Sequence, residues 1–157
     1  MKVAVIYYSR GGTTKKMAEM ITESVKEEGI TVDIFSVSTI KAECLLKYDG
    51  LIIGSPTYYG TLAAEVKDLL DKSVSFHGKL NGKIGGAFSS AANIAGGNET
   101  TVLSILEAML IHGMIIQGDP KGDHYGPVAI GQIDKRCEEN CKRFGKRFVE
   151  LLNRQKV

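Results

Sequence analysis

Three short segments hold the residues best suited to chemistry. In the first, the apolar run Val3-Ala4-Val5-Ile6-Tyr7-Tyr8 ends abruptly at Ser9-Arg10-Gly11-Gly12-Thr13-Thr14, and a helical pattern follows. A strand, a loop of Gly, Ser and Thr, and then a helix cluster backbone N–H groups around an anion. The positive end of the helix dipole points at the same spot. Hydroxyls of Ser9, Thr13 and Thr14 add donors, so the segment reads as a seat for a phosphate monoester. An ordinary strand-to-helix turn with a Thr cap would show the same residues, and the other two segments decide between the readings. The second is Gly54-Ser55-Pro56-Thr57-Tyr58-Tyr59-Gly60, whose two tyrosines offer aromatic faces to a planar ring or pack on the end of a sheet. The third, Ser89-Ser90-Ala91-Ala92-Asn93-Ile94-Ala95-Gly96-Gly97, offers hydroxyls, an amide and close-approaching backbone to polar ring edges. A phosphate and a planar heterocycle together describe a mononucleotide-like cofactor, and FMN fits. Neither a nucleotide P-loop nor a G-x-G-x-x-G dinucleotide fingerprint is present.

The elements that must position these segments alternate. Residues 2–8, 31–35, 51–53, 84–88 and 114–117 read as strands. Near-continuous apolar runs of this kind suit a parallel sheet covered on both faces. Residues 13–28 read as a helix, with Met17, Ile21 and Val25 four apart and Gly29 as its stop. A short helix is expected over 42–48. Another carries Leu62, Val66, Leu69 and Leu70. A third, capped by Asn98 or Thr100, carries Val102, Leu106, Met109 and Leu110 and stops at Gly113. The last spans residues 134–153. Residues 73–82 and 118–131 read as loops. Strand and helix in five repeats, without internal duplication or linker, predict one α/β domain over residues 1–157. Its expected core is a doubly wound five-stranded parallel sheet with helices on both faces. In such sheets ligands bind beyond the carboxyl ends of the strands, near the switch in strand order. The three segments fall at that end together.

Composition bounds the rest. The chain has 157 residues, 43% hydrophobic and 24% charged, with a formal net charge of +2 and a pI near 8.4. That balance is too mild to point to nucleic acid. No run is long enough to enter a membrane as a spanning helix and no secretory leader is evident, so a cytoplasmic protein is expected. Cys44, Cys137 and Cys141 are an odd count, which argues against a disulfide scaffold. Cys137 and Cys141 continue the apolar stripe of Ile133, Phe144, Phe148 and Leu151, so buried thiols are expected there rather than metal ligands.

With these residues in place, the chain resembles flavodoxin-like proteins, and within them the WrbA-type NAD(P)H:quinone oxidoreductases. The resemblance rests on Val5 through Thr14, Gly54 through Gly60, Phe88-Ser89-Ser90, Gly96-Gly97-Asn98-Glu99-Thr100-Thr101, His112-Gly113-Met114 and Tyr125-Gly126. Gly11 stands where flavodoxins usually carry Ser or Thr. The resemblance implies a sheet of order 2-1-3-4-5, FMN as cofactor, NAD(P)H as electron donor, a quinone as acceptor and a dimer or tetramer. Ser9, Arg10, Gly11, Gly12, Thr13 and Thr14 would hold the FMN phosphate. Pro56, Thr57, Tyr58, Tyr59 and Gly60 would line the ring, and Ser89, Ser90, Ala91, Ala92, Asn93 and Gly96 its pyrimidine side. Phe76 is the candidate for the aromatic residue near the quinone.

No side chain is nominated as catalytic, because a flavin would carry the chemistry. His112, one residue before the Gly113 stop, reads as structural. His77 reads as a solvated loop residue. His124, beside Tyr125, is a candidate for contact with flavin or substrate. Three classes compete: an FMN-dependent NAD(P)H oxidoreductase, a flavodoxin-type carrier that docks on a redox protein, and a flavin-free signalling domain. Carriers of this kind are usually strongly acidic, to dock on positive partners, and this chain is not. A phospho-acceptor receiver needs acids at the ends of strands one and three, where this chain has Tyr8-Ser9 and Ser55-Pro56.

Overall fold

Along residues 3–6 the side chains alternate between two faces, and both faces are apolar. Val3 and Val5 point one way and Ala4 and Ile6 the other, all four fully buried in the computed structural model, which describes residues 1–155. A strand apolar on both faces belongs inside a covered sheet. β1 (Lys2–Tyr7) accordingly pairs in parallel with β2 (Thr31–Ser36) on one side and β3 (Gly50–Tyr58) on the other. β5 (Ile84–Ala91) pairs in parallel with β3. The outer edge of β5 takes two short parallel pieces, β6 (Ile115–Ile116) and β7 (Val128–Ile130). β4 (Thr61–Leu62) is a hairpin return on the end of β3. The path β2-β1-β3-β5-β6 is the doubly wound order expected, with the fifth strand in two pieces.

Helices cover both faces. α1 (Thr13–Glu27) and α4 (Lys135–Arg154) bury Met17, Ile21, Val25, Cys137, Cys141 and Phe148 against Val3, Val5, Ile52 and Phe88. α2 (Ala64–Lys72) and α3 (Asn98–Ile111) bury Val66, Leu69, Val102, Ile105 and Met109 against Ala4, Ile6, Leu51, Ile53 and Ala87. Each large aliphatic group removed from water contributes roughly 1.5–3 kcal/mol. Gly54 on β3 is required by close approach, since a Cβ there would lie 2.1 Å from the ring of the fully buried Phe88. Cys137 and Cys141 are fully buried free thiols on the core side of α4.

Several boundaries differ from the sequence expectations. β1 stops at Tyr7. β3 runs five residues beyond Ile53, because Thr57 and Tyr58 pair with Leu62 and Thr61 of the hairpin. β5 continues through Ser89, Ser90 and Ala91, so these are strand residues rather than loop. Being small, they fit between Pro56 of β3 and the β7 residues Val128, Ala129 and Ile130. The loop expected over residues 118–131 contains β7. The short helix expected over 42–48 is present as a 3₁₀ helix, Ala42–Lys47, which buries only Ala42 and Leu45. Residues 73–82 include a 3₁₀ turn, Ser73–Phe76. Glycine rather than Thr, Asn or Ser caps two helices: Gly12 precedes α1 and Gly97 precedes α3, both left-handed.

A candidate cofactor site at the carboxyl ends of the strands

β1, β3 and β5 end side by side. Tyr8 N–H donates to the Gly54 carbonyl at 3.1 Å, and Pro56 lies opposite Ser90. The three small-residue segments are therefore neighbours.

The first segment is open to an anion. Gly12, at φ +96, turns the chain into α1, and the Ser9 hydroxyl accepts the Gly12 N–H at 3.0 Å, leaving its own proton free to donate. No side chain caps α1 and no acid stands in its first turn. Lys16 N–H is the first helix amide to reach a carbonyl, that of Gly12 at 3.0 Å. Those of Thr13, Thr14 and Lys15 lie before the intrahelical ladder begins. Uncapped amides, a hydroxyl and the dipole form a cradle with positive potential and no competing carboxylate. Arg10 and Gly11 are exposed at its rim. Thr14 is buried and its hydroxyl meets that of Ser90 at 2.8 Å, tying the first segment to the third.

The second segment is a hairpin turn in which Tyr59 (φ 48) and Gly60 (φ 84) are both left-handed. A two-residue turn with both residues at positive φ matches strand twist, but an aromatic residue there is strained. Tyr59 is fully exposed, with no packing in the chain to offset that strain. Tyr58 is 36% exposed and meets Tyr8 edge to face, ring centres 6.3 Å apart.

The third segment is locked to the second. Thr101, fully buried, places its hydroxyl 2.8 Å from the Gly97 carbonyl and 2.9 Å from the Thr57 hydroxyl. Thr100 donates to the Gly60 carbonyl at 2.5 Å or to that of Gly97 at 3.0 Å. Ala92, Asn93, Ile94, Ala95 and Gly96 are exposed between these anchors. From sequence, Thr100 is a candidate helix cap, Gly97 ends the third segment, and Thr101 is one of the family-like residues with no role. Two hydroxyls three and four residues after a glycine were the available signal, since that spacing folds them back over the first turn of a helix.

Two expected site residues are placed elsewhere. Ser89 is fully buried and donates to the Asn98 carbonyl at 3.0 Å, so it anchors the start of α3 instead of facing a ligand. Phe76 is 5% exposed and stacks on His112, ring centres 6.0 Å apart, in the core near Gly113, before β6 begins. Its aromatic surface is used in packing, at the opposite end of the sheet from the three loops. His112 is structural: its Nε2 lies 2.7 Å from the Ser73 hydroxyl, and burial, with a contribution from His77, lowers its pKa. His124 is exposed, with Nδ1 2.7 Å from the Asp119 carbonyl. Among the described residues no helix is long and apolar enough to cross a membrane.

Fold and site define an α/β protein with an uncapped, acid-free helix start and two exposed, interlocked loops at the switch point of its sheet. The chain belongs to the flavodoxin family: the flavodoxin domain matches residues 4–101. It is 37% identical to a flavodoxin of Clostridium saccharobutylicum, covering 97% of this chain and 98% of that protein. It is 34% identical to an NAD(P)H dehydrogenase (quinone) of Azorhizobium caulinodans, covering 84% of this chain and 77% of that one. Among solved structures, an archaeal flavodoxin superposes with a TM-score of 0.82 at 27% identity, over 98% of this chain and 99% of that one. A WrbA-like protein of Agrobacterium tumefaciens shares the fold with a TM-score of 0.83 at 22% identity, over 98% of both chains.

Proposed function

We propose that this protein binds FMN across the three loops and passes electrons from NAD(P)H to a quinone. The observation that carries FMN binding is the uncapped, acid-free amino end of α1 beside the strained, fully exposed Tyr59. A cradle for a phosphate and an unpacked aromatic face are the two parts that a phosphorylated planar cofactor needs. In this reading Ser9, Arg10, Gly11, Gly12, Thr13 and Thr14 hold the phosphate. Pro56, Thr57, Tyr58, Tyr59 and Gly60 flank one side of the ring. Ser90, Ala91, Ala92, Asn93 and Gly96 approach its polar edge. FMN supplies the acceptance and release of a hydride equivalent. The chain binds and orients it: amides of α1 neutralise the phosphate, and Thr100 and Thr101 hold the two ring loops at one separation. The relatives named NAD(P)H dehydrogenase (quinone) and the mildly basic pI support an enzyme that meets small substrates.

A second reading is a carrier that exchanges electrons with a redox protein. It is favoured by the end-to-end match to the clostridial flavodoxin, against 77% coverage of the quinone dehydrogenase, and by the burial of Phe76. The deciding experiment loads the protein with FMN, adds NADPH or NADH without oxygen, and follows the visible flavin band. Rapid loss of the band, restored by added quinone, is expected for the enzyme. A bound flavin that stays oxidised assigns the carrier, and failure to retain FMN overturns both.

A further inference from the structure

Tyr58 and Tyr59 are neighbours in the hairpin turn, yet they are held differently. Tyr59 is fully exposed, whereas Tyr58 is 36% exposed and has an aromatic partner. That partner is Tyr8, the first residue after β1, with ring centres 6.3 Å apart and planes at 83°. Edge-to-face pairs set the electropositive rim of one ring on the electron-rich face of the other. Such a contact fixes the inclination of a ring. Tyr8 is itself anchored. Its N–H donates to the Gly54 carbonyl at 3.1 Å, and its side chain packs on the core layer that α2 and α3 cover. Hydrogen bonding to Glu65, in the first turn of α2, raises the pKa of its phenol, with burial and the charge of that carboxylate adding to the effect. The phenol donates and the carboxylate accepts.

Glu65, Tyr8 and Tyr58 thus form a series that joins the start of α2, the end of β1 and the end of β3. Neither Tyr8 nor Glu65 was assigned to the cofactor. An acid in a first helical turn suits the dipole wherever it stands, but Glu65 also engages the phenol. Plain packing at the end of a sheet would bury both rings, yet over a third of Tyr58 stays open to solvent. The arrangement holds a ring without covering it. Fixing a side chain before its ligand arrives removes an ordering cost worth about three- to tenfold in affinity. Tyr59, exposed and without a partner ring, has no such support. The two tyrosines therefore differ: one is set in advance, and the other must be ordered by what it meets.

We propose that Tyr8 is a positioning residue for the cofactor: it sets the inclination of the Tyr58 ring before FMN arrives, and Glu65 holds its hydroxyl. The role rests on the FMN reading above. The test follows FMN affinity and the aromatic NMR resonances of Tyr58 in the full chain, in Tyr8→Leu, Tyr8→Phe, Tyr58→Leu and the Tyr8→Leu/Tyr58→Leu double variant. Without FMN, Tyr8→Leu is expected to shift the Tyr58 ring resonances. Its FMN affinity is expected to fall about three- to tenfold. Tyr8→Phe keeps the ring contact and frees it from Glu65, so it should recover most of that loss. With Tyr58 already replaced, Tyr8→Leu should have no further effect, because a residue that acts through another is silent once that other is gone. Unmoved Tyr58 resonances, undiminished affinity, or the same loss in both backgrounds overturns the role while FMN binding stands. A wild type that does not retain FMN overturns the cofactor reading, and this role falls with it. Should Tyr8→Leu not fold, Tyr8→Phe and Glu65→Ala decide. Each is then expected to weaken FMN about two- to threefold, and the two combined no more than either alone. No loss in either, or an additive loss, overturns the role.

Discussion

Gly97 and Gly60 meet backbone to backbone: a Cβ on Gly97 would lie 2.5 Å from the Gly60 Cα and 2.8 Å from its carbonyl oxygen. The two loops assigned to the ring of the cofactor are therefore set at the closest separation that polypeptide allows, and Thr100 and Thr101 hold them there. Gly97→Ala adds an atom against rigid backbone at φ +107, where an L side chain is already strained by about 1–3 kcal/mol. The loops must then part. FMN affinity is expected to fall by about tenfold or more in a fluorescence-quenching titration, with a shift in the visible flavin spectrum. Unchanged affinity and spectrum would show that loop separation does not control the ring.

Thr14→Glu places a carboxylate in the uncapped first turn of α1, where a phosphate is assigned. Alone, an acid at a helix amino end is mildly favourable, by about 0.3–1 kcal/mol. Thr14, however, is buried against Ser90. Loss of measurable FMN binding is expected, with binding of riboflavin, which lacks the phosphate, reduced less. Equal loss for both ligands would move the phosphate away from this cradle.

Stability is expected to depend on pH through His112. Ser73 donates to the Leu70 carbonyl at 2.6 Å, so it accepts from His112 Nε2–H, and Nδ1 is left buried without a partner. Protonation would place a second N–H there with no acceptor. Burial, and secondarily His77, lowers the pKa of the folded state below that of the unfolded chain. The unfolded state then binds more protons as pH falls, so this stabilisation is complete above about pH 6.5 and is lost as pH drops through the folded-state value. Urea unfolding between pH 5 and 8 (roughly the range where histidine titrates) should show the decline in the wild type. His112→Gln should flatten it. A parallel decline in the variant would assign the effect to other groups.

Asp119 joins the segment between β6 and β7 to α4. Hydrogen bonding from Arg143 holds its carboxyl well below the usual carboxylate range. Its side chain is 14% exposed while that of Arg143 is 37% exposed, so screening limits the pair's worth. Asp119→Asn is expected to cost about 1–2 kcal/mol in urea unfolding. It should also speed amide exchange in residues 117–127 and leave FMN affinity unchanged. No increase in exchange would mean that the Asp123–Arg136 pair suffices to pin the segment.

The covered parallel sheet was legible because it follows from local patterning, whereas its strand order came from the family resemblance. Runs such as residues 3–6 and 51–53 are apolar on both faces and alternate with amphipathic helices, and only a covered parallel sheet buries both. The three loops were legible because small and hydroxylated residues follow strands there. Pairing was less legible. Ser89, Ser90 and Ala91 have little strand propensity and read as loop, but Pro56 and Val128–Ile130 on either side make them strand. The end of the fifth strand was hidden for the same reason: a three-residue piece is defined by its partner.

By itself the sequence determined the fold class, the small-residue turn into α1 after β1 and the burial of Cys137 and Cys141, because each depends on residues near one another in the chain. Tertiary structure alone decided which residues face the site. It turned the hydroxyl of Ser89 onto Asn98, packed Phe76 on His112, brought Gly97 against Gly60, and aimed Thr100 and Thr101 at carbonyls of two loops. Partners of this kind are distant in sequence or set by backbone direction, and residue type carries no record of either until the chain is packed.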